Sequence, residues 1–240
     1  MAQEPVQKVK GVVDIVFLID ISGSMGPCIE ALKTNIGTFT ATMANPDPNG
    51  GSPVKDWRIK VAGYSDFMAD GSQWWVEFPF VNDLTQVTSN LSSLKLVGGG
   101  DLPESLLDGL YKIAKMPSTE KSDSAESNSW RHRHNAARVV IFFTDAEFHP
   151  TLSIPEAPGA MLDDVIRELQ NSRIILCGFC PEHECYNKLS ELDKSVIEFV
   201  GTISDAVAKM GEYTSDTKNF QETLKALAKT VSLSAEVVAL

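Results

Sequence analysis

Basic residues, cysteines and long apolar runs are all scarce in this chain. Its 240 residues carry 21 Lys and Arg against 32 Asp and Glu, a formal net charge of −11. Nucleic-acid affinity depends on neutralising phosphates with Lys and Arg, so that class of partner is disfavoured. An acidic chain suits cations or basic partners better. No stretch approaches the roughly 18 consecutive apolar residues of a membrane helix, so no membrane association is expected. Met1–Lys10 is polar and holds no apolar segment of the signal-peptide kind, and a cytoplasmic location is the expectation. Cysteines number only four, and three of them crowd into Cys177–Cys185. Without a secretory signal they read as reduced thiols or metal ligands, not as a disulfide framework. Neither a Gly-x-Gly-x-x-Gly nor a P-loop pattern occurs, which argues against nucleotide binding. There is no internal repeat.

What is present is ordinary globular material. Apolar residues make up 43% and charged residues 22%, which excludes collagen, coiled coil or extended disorder as the main architecture. The length fits one large domain or two small ones, enough to bury a core without disulfide or metal staples. The single-domain reading takes 1–240 as one unit with a core of about 12–231.

Short β-branched runs alternate with helical periodicity. Val12–Ile19 reads as a buried central strand. Ile29, Leu32, Ile36, Phe39 and Met43 then step by three and four along one helix face. Asn45–Pro53 is a loop. Arg58–Tyr64 and Trp74–Phe78 follow as strands. Leu106, Leu110 and Ile113 mark a helix entered through Asp101–Glu104, with Pro103 suited to a helix start. Ser118–Asn135 is polar and mixed in charge, and reads as a surface insertion of a composition that tolerates disorder. Val139–Phe143, Ile174–Cys177 and Val196–Val200 are further strands. Leu162, Val165, Ile166 and Leu169 give a helix, and Phe220, Leu224, Leu227 and Val231 a closing one. Strand and helix in alternation predict an α/β fold: a doubly wound, mostly parallel central sheet with helices on both faces. Such sheets bind ligands beyond the carboxyl ends of their strands, at the topological switch point.

Three segments carry oxygen donors to those ends. Asp20-Ile21-Ser22-Gly23-Ser24 directly follows the first strand. Gly98-Gly99-Gly100-Asp101-Leu102-Pro103-Glu104 precedes a helix. Thr144-Asp145 directly follows Val139–Phe143. Carboxylates and hydroxyls are hard donors that suit Mg²⁺, Mn²⁺ or Ca²⁺. Residues two apart in a loop leaving a strand can face the same way, so Asp20, Ser22 and Ser24 can address one ion. The blander account of the same residues is helix capping and solvated loops. If Asp20, Asp101, Glu104 and Asp145 lie close together, each like-charge pair at ~5 Å costs roughly 3 kcal/mol at an effective dielectric of ~20. A divalent cation relieves that cost.

Asp20-Ile21-Ser22-Gly23-Ser24 resembles the Asp-x-Ser-x-Ser motif of von Willebrand factor A (VWA) domains, whose fold is a Rossmann-like doubly wound sheet. There it opens the metal-ion-dependent adhesion site. Thr144-Asp145 is similar to the family's later acidic position. Asp101 stands where many such domains carry Thr. The Asp101-Leu102-Pro103-Glu104 segment resembles instead the Asp-x-Pro-Glu loop of integrin β subunits, as does Phe143-Thr144-Asp145-Ala146. The resemblance implies a metal held by Asp20, Ser22, Ser24, Asp101, Glu104 and Asp145, with the two serines in direct contact and some acids acting through water. Asp101 and Pro103, with Asp70, sit where integrin β subunits form a second cation site. Met25-Gly26-Pro27-Cys28 offers no acids for a third. The implied function is a protein-binding or scaffold module whose cation, Mg²⁺ or else Mn²⁺ or Ca²⁺, bridges to an oxygen of a partner protein, an Asp or Glu carboxylate. The implied conformational response is a shift of the closing helix, Phe220–Val231. The alternative is a Mg²⁺-dependent phosphohydrolase with Asp20 as nucleophile. However, haloacid-dehalogenase phosphatases carry a second Asp two residues on, where this chain has Ser22.

Cys177, Cys180, His183 and Cys185 read Cys-x2-Cys-x2-His-x-Cys. That pattern admits Zn²⁺ at Cys180, His183 and Cys185, or, more plainly, core and loop thiols, with Cys177 ending a strand and facing the core. Trp130-Arg131-His132-Arg133-His134 is a basic cluster open to an acidic partner or to solvent. Trp74 and Trp75, being adjacent in a strand, are expected on opposite faces, one in the core and one free for a partner. His149-Pro150 either rims the site or is simply a turn.

Overall fold

The structure, a computed structural model, describes residues 11–45, 53–98, 102–193 and 195–236, the side chains of 234–236 excepted. Among them, six strands form one sheet in the order β3-β2-β1-β4-β5-β6. The strands are β1 (Val12–Asp20), β2 (Asp56–Tyr64), β3 (Trp75–Glu77), β4 (Ala137–Phe143), β5 (Ile174–Glu182) and β6 (Val196–Thr202). All neighbouring pairs run parallel except β2 and β3. The helices are α1 (Gly26–Ala44), the short α2 (Phe67–Asp70), α3 (Leu84–Ser92), α4 (Leu106–Ala114), α5 (Leu162–Asn171), the short α6 (Asn187–Ser190), α7 (Ala206–Ser215) and α8 (Thr217–Glu236).

Alternation along β1 separates two cores. Val13, Ile15, Phe17 and Ile19 face α1, α3 and α8; Val16 and Leu18 face α4 and α5. Both faces are covered, so β1 and β4 read as near-continuous apolar runs. All five apolar positions that step along α1, from Ile29 to Met43, are buried. Local chemistry sets the helix ends. Pro27 opens α1, Asp83 caps α3 by accepting from the Gln86 N–H, and the Asp164 carboxylate at the start of α5 accepts from the Met161 N–H.

Several expectations are corrected. Pro103 does not start a helix: α4 begins at Leu106, behind Ser105, whose hydroxyl accepts from the Phe67 N–H at 3.0 Å. β5 continues to Glu182, so Cys177 lies inside a strand rather than at its end. Trp74 and Trp75 both pack on the α4 face, their ring centroids 5.4 Å apart, because Trp74 precedes the strand and is free of its pleat.

The polar segment 118–135 is exposed over 120–128 but anchored at its end. Trp130 is fully buried and donates its indole N–H to the Ile113 carbonyl at 3.0 Å. Arg131 reaches Asp14 on β1. Asp14, with 0% exposure, accepts from Arg58 Nε and Nη2 at 2.9 and 2.7 Å and from Arg131 N and Nε at 2.7 Å each. This end of the basic cluster is therefore an internal strut. A buried carboxylate persists only when paired and hydrogen-bonded, and the two guanidiniums supply both.

Candidate functional site

The sheet order makes β1 and β4 neighbours. From β1 the chain proceeds to β2 on one side, and from β4 to β5 on the other. Loops leaving the two strands diverge and open a crevice at their carboxyl ends. Ile21 N donates to the Tyr64 carbonyl at 2.8 Å, which carries the ladder one residue past Asp20. Ser22–Met25 then turns into α1, with Met25 N donating to the Ser22 carbonyl at 3.0 Å.

That turn aims the side chains. Asp20 is fully buried; its Oδ1 accepts from Ser22 N at 2.8 Å and its Oδ2 from the Thr144 hydroxyl at 2.8 Å. The carboxylate thus clamps the β1 and β4 loops together. Ser22 Oγ and Ser24 Oγ lie 3.3 Å apart. The third loop is tied in by its backbone. Glu104 N donates to the Glu147 carbonyl at 2.9 Å, and His149 N donates to the Glu104 carbonyl at 3.1 Å. Gly98, at φ +62°, lies so close to Asp70 that a Cβ there would fall 2.7 Å from the Asp70 carboxylate.

The electrostatics are those of crowded acids. Burial holds Asp20 well above the usual carboxylate range, and the Asp145 charge adds to this, against hydrogen bonds from Ser22 and Thr144. Burial raises Glu104 as well, followed by the charges of Asp20, Asp66, Asp70 and Asp145. Asp145 is raised by burial, and the Ser24 hydroxyl offsets part of this. Two buried oxygens at this end of the sheet, Glu104 Oε2 and Asp145 Oδ2, have no hydrogen-bond partner among the described residues. Orphaned buried polar atoms are uncommon and costly, more so when charged. The donor set is all oxygen and fits a hard divalent cation. Cys28 beneath it does not compete: burial, then the Asp145 and Asp20 charges, keep its thiol protonated.

Of the residues singled out from sequence, Asp20, Ser22, Ser24, Glu104 and Asp145 gather at this end of the sheet, while Asp101 and Gly99 lie outside the described residues. Thr144, expected in the third loop as an oxygen donor, orients Asp20. One contributor was not anticipated. Asp66 acts on Glu104 and approaches His149 Nε2 at 3.4 Å. Asp66 follows β2 as closely as Asp145 follows β4, and that strand-end position is the signal that points to it.

Zn²⁺ at Cys180, His183 and Cys185, the less favoured of the two readings, gains no support: among the described residues no three His, Cys, Asp or Glu side chains form a group that could hold a metal ion. Cys177 and Cys180 are buried on opposite sides of the sheet, as an odd spacing in a strand requires. At the β1 and β4 ends the acids are interleaved with hydroxyls.

A doubly wound α/β domain with acids and hydroxyls at its switch point is the class that fold and site define. The chain belongs to the von Willebrand factor type A domain family, whose model matches residues 14–196. It is 27% identical over 165 residues to the alpha-protein kinase vwkA of Dictyostelium discoideum. That match takes in 65% of this chain and 23% of the relative, so the chain spans about a quarter of that protein's length. Among solved structures it is similar in fold to proximal thread matrix protein 1 from the mussel byssus, with a TM-score of 0.52 at 12% identity, over 88% of this chain and 49% of that one. Domains of this family are commonly protein-interaction modules. No described helix is long and apolar enough to cross a membrane.

Proposed function

We propose that this chain is a metal-dependent protein-binding module. Ser22 and Ser24 contact a divalent cation, Mg²⁺ in the first instance, at the β1 and β4 ends. Glu104 and Asp145 supply carboxylate oxygens directly or through water. Asp20 acts through water, since both its oxygens are already engaged by Ser22 N and Thr144. Asp101 belongs to the same set by its place in the sequence. The observation that carries this reading is the pair of buried carboxylate oxygens on Glu104 and Asp145 that have no hydrogen-bond partner among the described residues, together with the adjacent Ser22 and Ser24 hydroxyls. A cation offsets their charge, and a coordination position facing solvent takes an oxygen from a partner protein, an Asp or Glu carboxylate.

The phosphohydrolase alternative gains no support. A nucleophilic carboxylate needs to be ionised and open to substrate, whereas Asp20 is fully buried and disfavours the charged form. The kinase activity in the relative's name belongs to that protein, of which the chain spans only 23%.

Thermal melting with Mg²⁺ or Mn²⁺ against chelator tests the reading. A ligand at ~100 times its Kd stabilises by about 2.7 kcal/mol. The wild type is expected to melt higher with metal and the Ser22→Ala/Ser24→Ala variant to respond little. Identical wild-type melts in metal and chelator would overturn the proposal.

A further inference from the structure

We infer that the cationic turn at the amino ends of β4 and β5 docks an acidic segment of a partner protein, a run of consecutive Glu or Asp residues. It lies at the opposite end of the sheet from the candidate metal site and needs no metal. β4 and β5 run parallel with Arg138 opposite Ile174, so the residues that precede the two strands are neighbours. They are His132, Arg133 and His134 before β4 and Arg173 before β5. Lys121 joins them, because Asn135 Nδ2 donates to the Lys121 carbonyl at 2.9 Å. The turn is internally bonded. Asn135 N and Ala136 N donate to the His132 carbonyl at 2.7 and 3.2 Å, and His134 N donates to His132 Nδ1 at 3.3 Å. The two imidazoles stack, with centroids 5.0 Å apart and planes 14° apart. Buried Trp130 and Arg131 fix the start of the turn in the protein interior. A docking surface that is already ordered loses little conformational freedom when a partner binds.

Charge selects the occupant. The four charges that act most on His134 all come from basic side chains, His132, Lys121, Arg133 and Arg173, and after burial they hold its imidazole below the usual range. Lys121 and Arg133 are exposed and make no ion pair among the described residues. Acids close by are already engaged. Asp56 Oδ2 takes Arg131 Nη1 at 2.5 Å, Glu126 Oε2 accepts from the Ser129 hydroxyl at 3.0 Å, and Asp123 Oδ1 from the Ser122 hydroxyl at 3.3 Å. On a chain of net charge −11 this turn is a local exception. At physiological salt, charges further off than about 8 Å are largely screened, so a short run of carboxylates senses the turn and not the whole molecule. A polynucleotide extends well past that distance and meets the acidic remainder, which repels it.

A labelled peptide of four consecutive Glu between Gly-Ser ends tests this with the full chain, read by fluorescence anisotropy and by the histidine ring resonances in NMR. Chelator is present throughout, so that no cation at the other end of the sheet can take the carboxylates. The peptide is expected to bind wild type and to shift the rings of His132 and His134. Those of His149 and His183, beyond the carboxyl ends of β4 and β5, should stay in place. Lys121→Gln/Arg133→Gln is expected to weaken binding about fivefold, the loss of two solvent-exposed charge contacts. Lys218→Gln/Lys225→Gln, at exposed positions of α8, makes the same change in net charge and should leave the affinity unchanged. No binding by wild type, equal binding of a peptide with Gln in place of Glu, or ring shifts at His149 or His183 instead would overturn the inference. An equal loss in both variants also overturns it, because overall charge then suffices. So does a single-stranded oligothymidine that binds as tightly as the Glu peptide, which would make the turn a polynucleotide surface.

Discussion

Glu104 is 4% exposed, leaves one carboxylate oxygen without a partner among the described residues and feels four neighbouring acids. The isosteric change Glu104→Gln removes the charge while keeping the shape. In chelator near neutral pH this variant is expected to be more stable than wild type by about 1–3 kcal/mol, because it need not bury a charge beside four acids or take up a proton to avoid doing so, as measured by urea unfolding. With Mg²⁺ its gain in melting temperature should be smaller than that of wild type. Lower stability in chelator would mean that Glu104 is satisfied by contacts other than a cation. Asp20, Ser22, Ser24 and Asp145 were legible as single residues, because their types and spacing carry the chemistry. The convergence of Asp66 was not legible, since 46 residues of chain separate it from Asp20 and only the pairing of β1 with β2 brings their ends together.

Elements explain where polar composition misleads. Residues 118–135 average out as a loop, yet Trp130 and Arg131 fix its end to β1 and α4. Trp130→Ala is expected to cost about 3–5 kcal/mol, and denaturant unfolding checks it; a loss under 1 kcal/mol would mean the segment is merely draped. Asp14→Asn would leave Arg58 and Arg131 without their buried counter-charge, at an expected cost of about 3–5 kcal/mol. Strand packing offers a sharper case. A Cβ at Gly178 would fall 2.1 Å from the Phe142 ring, so Gly178→Ala forces β4 and β5 to adjust. About 1–3 kcal/mol is the usual cost of such overpacking. Strand existence was legible from β-branched runs, whereas strand ends were not. β5 runs past Cys177 because its pairing with β6 continues to Glu182, a tertiary fact.

For the whole molecule, the site predicts an unusual pH dependence. Asp20, Glu104 and Asp145 have folded pKa values above their unfolded ones. Such groups bind more protons folded than unfolded, so their stabilising contribution is complete below the unfolded value near ~4 and is lost as pH rises through the folded values. Protein in chelator should therefore lose stability from mildly acidic to neutral pH. Cations bind the deprotonated acids, so the melting gain from Mg²⁺ should grow over the same range. A metal response that is flat with pH would argue that these acids do not face the cation. The sequence by itself determined the doubly wound α/β class and the loops that carry the hard oxygen donors, because hydrophobic period and residue type are local properties. Only the tertiary structure decided which acids are buried without partners among the described residues and that Cys177 and Cys180 lie on opposite sides of the sheet. Burial and charge coupling are set by contacts between distant segments, and no local pattern encodes them.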